Sequence, residues 1–310
     1  MNEPKVYVVI LNYKKWQDTI ECLTSVFQSS YKNFSIIVID NDSQNDSLEQ
    51  LLNWAQYEGC EYILLKKEEI TSRDNVVLLP ALTFIQNNSN TGFGAGNNII
   101  LRLLQHEDAY IWLLNPDMIV REDTMAELVK FALENDRRCI IGSVIKSYSN
   151  KTQLLFYGGG RVIFSSAIIK MIKGLGNLSR LDFISGGCLF THAINFKRNG
   201  LLPEKYFLYW EETDWCYHAR KKGCLLNVCT AAVCYDKIST IIGKGYLANY
   251  YYTINGLRFT SAIRKLNKII ILFFLSMRFL KRIATGRWAG ARGLYNGAKD
   301  FFKLNFYDAK

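Results

Sequence analysis

Three sets of carboxylates stand where this chain could do chemistry: Asp40, Asp117, and the cluster Glu211, Glu212 and Asp214. In open α/β sheets ligands bind beyond the carboxyl ends of the strands, so acids that end or follow apolar runs are the first candidates. Asp40 closes the run SIIVI, where its carboxylate suits the N–H edge of a nucleobase. Taken alone, Asp40 with Asn41, Asp42 and Ser43 better suits a plain turn and helix cap. Asp117 follows WLLNP, and the fixed φ of Pro116 would hold one carboxylate steadily beside a phosphate-bound Mg²⁺ or Mn²⁺; an ordinary Asn-Pro-Asp turn is the competing reading. In Tyr209-Trp210-Glu211-Glu212-Thr213-Asp214-Trp215, mutual repulsion and apolar rings favour protonated acids, while a helix N-terminus favours the anions. A general base with a tuned pKa and an acidic first helical turn both satisfy that pattern.

Asn90-Thr91-Gly92-Phe93-Gly94-Ala95-Gly96-Asn97-Asn98 is a glycine-rich loop that opens a helix, able to approach phosphate or sugar closely or simply to permit tight helix-on-sheet packing. It lacks G-x-G-x-x-G spacing, and no Gly-Lys-Ser/Thr is present, which excludes a Walker loop. The first apolar run leads into Asn12-Tyr13-Lys14 rather than a glycine turn, which disfavours a nicotinamide dehydrogenase. His106, His192 and His218 fall in unrelated contexts and form no Ser-His-Asp or Cys-His arrangement. The eight cysteines include no C-x-x-C pair and are expected to be reduced core thiols rather than zinc ligands.

The elements that must position these groups alternate. Val6–Leu11 and Ser35–Ile39 are continuous apolar runs, the pattern of strands buried on both faces of a parallel sheet, with a helix over Asp18–Gln28 between them. A helix over Ser47–Ala55, strands at Tyr62–Leu65, Thr83–Gln86 and Tyr110–Leu114, a loop around Arg73–Asn75, a helix through Leu104 and another over Asp123–Leu133 extend the alternation. Beyond about residue 145, Leu154–Phe164 and Phe183–Phe190 resemble strands broken by glycines, Glu211–Lys222 resembles a helix, and the chain from about residue 250 is helical in pattern. The fold class predicted is α/β: a doubly wound, mostly parallel sheet flanked by helices, with a helical C-terminal segment.

The 310 residues carry a net charge of +10, of which residues 264–310 hold 11 Lys or Arg against two Asp. A neutral body with a basic end points to a local electrostatic anchor on a membrane surface rather than to nucleic acid. Ile269–Leu275 is too short to span a bilayer, which needs roughly 20 apolar residues. MNEPKVYVVILNY shows no secretory signal pattern, so a cytoplasmic location is expected, peripheral on the inner face of the plasma membrane.

In order and spacing, VVILNYKKWQDTIECLTSV, IIVIDNDSQNDS, NNSNTGFGAGNN, YIWLLNPDMIV, ISGGCLFTH, YFLYWEETDWCYHARKKG, NYYYTINGLRF and ARGLYNGAKDFF resemble the family 2 glycosyltransferases of GT-A fold, especially their rhamnosyltransferase-like branch. The resemblance implies a GT-A domain over residues 1–263, with a donor half to about 145 and an acceptor half to 263, and a basic amphipathic segment over 264–310. It implies a bacterial-type enzyme of cell-surface polysaccharide synthesis that moves a sugar from a dTDP- or UDP-linked donor to a hydroxyl of a glycan or lipid-linked acceptor, with Mg²⁺ or Mn²⁺ as cofactor. By the same likeness Asn12, Tyr13, Asp40, Asn41, Asn90, Gly92, Phe93, Asn97 and Asn115 line the donor pocket, Asp117 and Asp236 ligate the metal, and Glu212 is the base, supported by Glu211 and Asp214. Two departures stand out. Glu212 occupies the place of a usual Asp, and Asp236 that of a common metal-binding His, which keeps a non-catalytic nucleotide-sugar or glycan-binding protein as the alternative.

Overall fold

The computed structural model describes residues 3–71, 80–237, 245–265 and 267–307, so the loop expected around Arg73–Asn75 lies outside the described residues. The chain runs β1 (Val6–Asn12), α1 (Trp16–Phe27), β2 (Phe34–Asp40), α2 (Ser47–Tyr57), β3 (Tyr62–Lys66), α3 (Lys67–Thr71), β4 (Leu82–Gln86), α4 (Gly92–Leu104) and β5 (Tyr110–Leu114). It continues through β6 (Met118–Val120), α5 (Thr124–Leu133), β7 (Cys139–Ser147), β8 (Leu154–Tyr157), β9 (Gly159–Ile163) and β10 (Ile168–Met171). Then come β11 (Phe183–Ile184), β12 (Cys188–His192), α6 (Ile194–Asn199), α7 (Glu211–Lys221), β13 (Leu225–Asp236), α8 (Tyr246–Ile263), α9 (Lys268–Ala284) and α10 (Trp288–Tyr307).

Ten strands form one mixed sheet in the order β3-β4-β2-β1-β5-β12-β7-β13-β6, with β8 on β7. The strands β3, β4, β2, β1 and β5 are mutually parallel, because each is reached through a helical crossover; β12 then enters antiparallel between β5 and β7. Alternate residues of β1 divide between two cores. Val6, Val8 and Ile10 pack with Cys22, Leu23 and Val26 of α1 and Met125 and Leu128 of α5, while Tyr7 and Val9 pack with Ile99–Leu104 of α4 and Phe196 and Trp215 of α6 and α7. Both faces are therefore covered, which is why these strands read as unbroken apolar runs. Each fully buried Val or Ile contributes roughly 1.5–3 kcal/mol.

The strands β7 and β13 lie beyond the alternation that the sequence makes plain, and β13 shifts register between Cys229 and Val233. A small second sheet, β10-β9-β11, stands beside the main one. The eight cysteines are free, and all but Cys60 are buried. Among the described residues no helix is long and apolar enough to cross a membrane.

The C-terminal helices form a layer of their own. Ile254 and Leu257 of α8, Ile271 and Leu275 of α9 and Leu294 and Phe301 of α10 share one apolar cluster. Helices α8 and α10 approach so closely that a Cβ on Gly297 would lie 2.6 Å from the Tyr250 carbonyl oxygen. The expected boundary at 263/264 thus falls between two helices of this layer.

Candidate functional site

The carboxyl ends of β1, β2 and β5 form one rim, since Asn12 is the register partner of Asp40 and Ile10 that of Leu114. At its centre Asp40, 5% exposed, accepts from Asn12 Nδ2 at 2.7 Å, from Ser43 Oγ at 2.5 Å and from Ser43 N at 3.1 Å. Thr19 Oγ1 donates to Asn12 Oδ1 at 2.8 Å, so α1 fixes the orientation of that amide. The structure shows Asp40 holding the turn, with its carboxylate fixed at the rim by these donors. Tyr13, next along, is 37% exposed.

Asn41 ties this turn to the glycine loop. Its Nδ2 donates to Asn90 Oδ1 at 2.9 Å and its Oδ1 accepts from Asn87 Nδ2 at 2.8 Å, while Asn90 Oδ1 also accepts from Gly92 N. Gly92 sits at φ +83°, and a Cβ there would overlap the Phe207 carbonyl oxygen, to which Phe93 N donates at 3.0 Å. Glycine is required at this crossing by conformation and by space alike. Asn97 lies a turn into α4, buried, its Nδ2 donating back to Phe93 O at 2.9 Å.

On the other side, Asn115 N donates to Gly187 O at 3.0 Å, and Met118 N to Asn115 O at 3.1 Å closes the Asn-Pro-Asp turn. Asp236 is the register partner of Met118, and Lys237 N donates to Asp117 O at 3.1 Å, so Asp117 and Asp236 come from neighbouring strands at one edge. The Lys237 ammonium pairs with Asp18 at 3.0 Å and Glu21 at 2.7 Å on α1. Among the described residues no group of three or more His, Cys, Asp or Glu converges as a complete metal cage. Two hard carboxylates nevertheless fit a Mg²⁺ or Mn²⁺ that takes its remaining oxygens from a diphosphate and water.

Helix α7 carries Glu211 and Glu212 to the same place. Tyr209 and Trp210, at φ +64° and +81°, form a left-handed turn that costs of order 1–3 kcal/mol per residue and aims the helix N-terminus. Helix α8 holds that turn: Trp210 Nε1 donates to Tyr252 O at 3.0 Å, Asn255 Nδ2 donates to Leu208 O at 2.9 Å, and a Cβ on Gly256 would lie 2.7 Å from the Trp210 ring. Glu212 is half-buried and receives backbone N–H groups from Glu212, Thr213 and Gly186. Burial nonetheless pushes its carboxyl up to about 7. Glu211 is buried, its Oε2 has no hydrogen-bond partner, and burial together with the neighbouring Glu212 charge raises it well above the usual range. Two adjacent acids are thus divided, one kept neutral and one ionising near neutrality. Asp214 turns elsewhere, its carboxylate taken by Tyr206 Oη at 2.9 Å, Lys205 Nζ at 2.8 Å and His218 Nδ1 at 2.6 Å.

The glycine turn Gly186-Gly187, visible in the sequence between two strands, has a place at the site that the sequence did not assign to it. A Cβ on Gly186 would lie 3.1 Å from the Phe93 ring and 3.4 Å from Glu212 Cβ, and one on Gly187 would lie 3.1 Å from Asn115 Nδ2. This turn brings the glycine loop, the Asn-Pro-Asp turn and the base candidate into one place; paired glycines between strands are the signal of such a close approach. Tyr209, pushed up to about 12 chiefly by burial, also feels the charges of Glu211, Glu212 and Asp117, which puts it near all three acids.

The family model described as Glycosyl transferase family 2 matches residues 7–190. The chain belongs to this family. Among curated proteins it is similar to the low-salt glycan biosynthesis hexosyltransferase Agl10 of Haloferax volcanii, at 22% identity over 72% of the chain. That match spans 64% of the relative, less than two thirds of its length. It is also similar to the rhamnosyltransferase WbbL of Escherichia coli K12, at 23% identity over 72% of the chain and 79% of that protein. Of solved structures, the mannosyltransferase PcManGT from Pyrobaculum calidifontis, in complex with GDP-Man and Mn²⁺, superposes with a TM-score of 0.58 at 13% identity, covering 97% of this chain and 88% of that one. The architecture is thus the GT-A fold: a mostly parallel mixed sheet between helices, with a helical C-terminal segment.

Proposed function

We propose that the chain is an inverting glycosyltransferase that moves a sugar from a nucleoside-diphosphate donor, a dTDP- or UDP-sugar, to a hydroxyl of a glycan or lipid-linked acceptor in cell-surface polysaccharide synthesis. The observation that carries the reading is the carboxyl of Glu212, raised to about 7 beside the Gly186 turn, at the rim that also bears Asp40 and Asp117. A base needs a pKa near the working pH and a partly open position, and Glu212 has both. As the acceptor oxygen bonds to the anomeric carbon, its proton passes to Glu212 and the bond between that carbon and the diphosphate breaks with inversion. Glu211, neutral and buried, keeps a second negative charge away from the base. Asp40 would receive the N–H edge of the nucleobase, with Asn12, Tyr13, Asn41 and Asn90 around it; Gly92, Phe93, Asn97 and Asn115 would line the diphosphate and sugar. Asp117 and Asp236 would hold Mg²⁺ or Mn²⁺, whose chemistry is to neutralise charge on the departing diphosphate.

The C-terminal helices support a membrane-surface location. Ile269 is 80% exposed, Leu280 60% and Trp288 64%, beside Lys268, Lys281 and Arg287, and each basic residue near an anionic surface is worth about 1 kcal/mol. Thermal shift against a panel of nucleotide sugars with Mn²⁺, followed by release of the nucleoside diphosphate from the best binder, tests the reaction. Stabilisation by a single donor class with release that Glu212→Gln abolishes is expected; a chain that binds no nucleotide sugar overturns the reading.

A further inference from the structure

The outer stripe of α9 is apolar, but its inner stripe carries two arginines. Ile271, Leu275, Arg278 and Arg282 recur at three-to-four spacing; the first two are buried and the arginines are half-buried. The Arg278 guanidinium lies 5.6 Å from the centre of the Tyr252 ring, and its Nη1 is buried with no hydrogen-bond partner. Arg282 is held beside it, its Nε donating to Asn249 Oδ1 at 2.8 Å and its Nη1 to Arg278 O at 3.0 Å. Among the described residues no carboxylate pairs with either. The Tyr252 hydroxyl accepts from Ile169 N at 2.7 Å, which leaves its own O–H to give.

Two guanidinium groups side by side, one with a dry unsatisfied N–H, are costly unless an anion joins them. Burial and the neighbouring Arg282 charge already pull Arg278 down to about 10. Planar forks with several donors match phosphate oxygens. The Tyr252 ring lies 5.7 Å from Trp210 and 6.0 Å from Tyr209, the turn that delivers Glu211 and Glu212, so this spot is one aromatic layer from the proposed base.

We infer that Arg278, Arg282 and the Tyr252 hydroxyl form a binding site for a phosphate or diphosphate ester, taken from the acceptor at the membrane-facing side of the catalytic turn. The assignment to the acceptor rests on the transferase reading above; the anion site itself does not. Phosphate held here would fix a phosphorylated acceptor so that its sugar hydroxyl reaches Glu212.

The test titrates inorganic pyrophosphate into the full chain in EDTA, so that no divalent cation assists binding near Asp117, and reads both heat of binding and Tm. Wild type is expected to bind and to gain Tm; Arg278→Met is expected to bind on the order of tenfold or more weakly while keeping its pyrophosphate-free Tm, because it removes an unpaired buried charge. Equal pyrophosphate affinity in the two proteins overturns the site, as does a wild type that binds none. Because Arg278→Met also loses a ring contact, Arg278→Lys serves as the second variant: it keeps the charge without the fork, and intermediate affinity is expected. A parallel flotation arm compares phosphatidylcholine vesicles with and without phosphatidic acid. Loss of the phosphatidic acid preference in Arg278→Met makes a lipid headgroup the source of the phosphate, and an unchanged preference with weakened pyrophosphate binding makes it the acceptor. A chain that binds pyrophosphate through Arg278 yet transfers no sugar keeps this site and removes only the transferase reading.

Discussion

Replacing Glu212 by Gln is expected to make the protein more stable and inactive together. The carboxyl rises from its ordinary 4.5 to about 7 because burial outweighs the backbone N–H groups of Glu212, Thr213 and Gly186. Between those values the unfolded chain has lost its proton while the folded chain still holds it, so stability that is complete below pH 4.5 is lost as pH rises through 7. At about 1.36 kcal/mol for each tenfold difference, ionising Glu212 costs the fold about 3 to 4 kcal/mol, of which about 2 to 3 kcal/mol falls between pH 5 and 8.5. Glutamine does not titrate, so urea unfolding should find the stability of Glu212→Gln relative to wild type about 2 to 3 kcal/mol higher at pH 8.5 than at pH 5. Over the same range wild-type kcat/KM should climb about tenfold per pH unit below 7 and level above it, and the variant should lose about 10² to 10⁴ in turnover. A variant whose stability relative to wild type does not rise between pH 5 and 8.5, or a wild-type rate that does not change over that range, would refute the reasoning.

Other substitutions probe the neighbouring parts. Gly92→Ala forces a side chain onto a φ of +83° and against the Phe207 carbonyl, and should cost at least about 2 kcal/mol in urea unfolding. Asp40→Asn turns an amide N–H₂ toward donors from Asn12 and Ser43, and should cost about 2 kcal/mol while weakening nucleotide binding by calorimetry. Asp117→Asn should raise the Mn²⁺ concentration needed for half-maximal turnover roughly tenfold or more, with the unfolding midpoint little changed. Ile269→Asp with Phe273→Asp, both on the exposed stripe of α9, should reduce flotation with anionic vesicles without lowering Tm.

What was legible in the sequence follows from burial. Strands covered on both faces must be apolar throughout, so Val6–Leu11, Ser35–Ile39 and Tyr110–Leu114 announce themselves, and the polar residue that ends each run marks the rim. Asn12, Asp40 and Asn115 could therefore be located from one-dimensional pattern alone. The strand β13 could not: its middle, Cys229–Val233, changes register and its residues alternate between exposed and buried without a clean period. Nor could the support of Glu212. The left-handed turn at Tyr209-Trp210 carries no glycine, and its cost is met by contacts from Tyr252, Asn255 and Gly256, more than forty residues on. Asp214 shows the same limit in reverse, because three acids within four residues read alike until Tyr206, Lys205 and His218 are seen to claim one of them. Long-range contacts that hold strained backbone leave little local trace.

On the proposed reading, the nucleobase, diphosphate and base positions on this rim are separate parts of one site. Calorimetric titration of UDP and dTDP with Mn²⁺ into wild type, Asp40→Asn, Asp117→Asn and Glu212→Gln separates these parts. At least tenfold weaker binding of the preferred nucleotide is expected in the first two variants, with Glu212→Gln within about twofold of wild type. Undiminished binding in Asp40→Asn and Asp117→Asn, or a loss in Glu212→Gln as large as theirs, would show that these groups do not divide the site in this way.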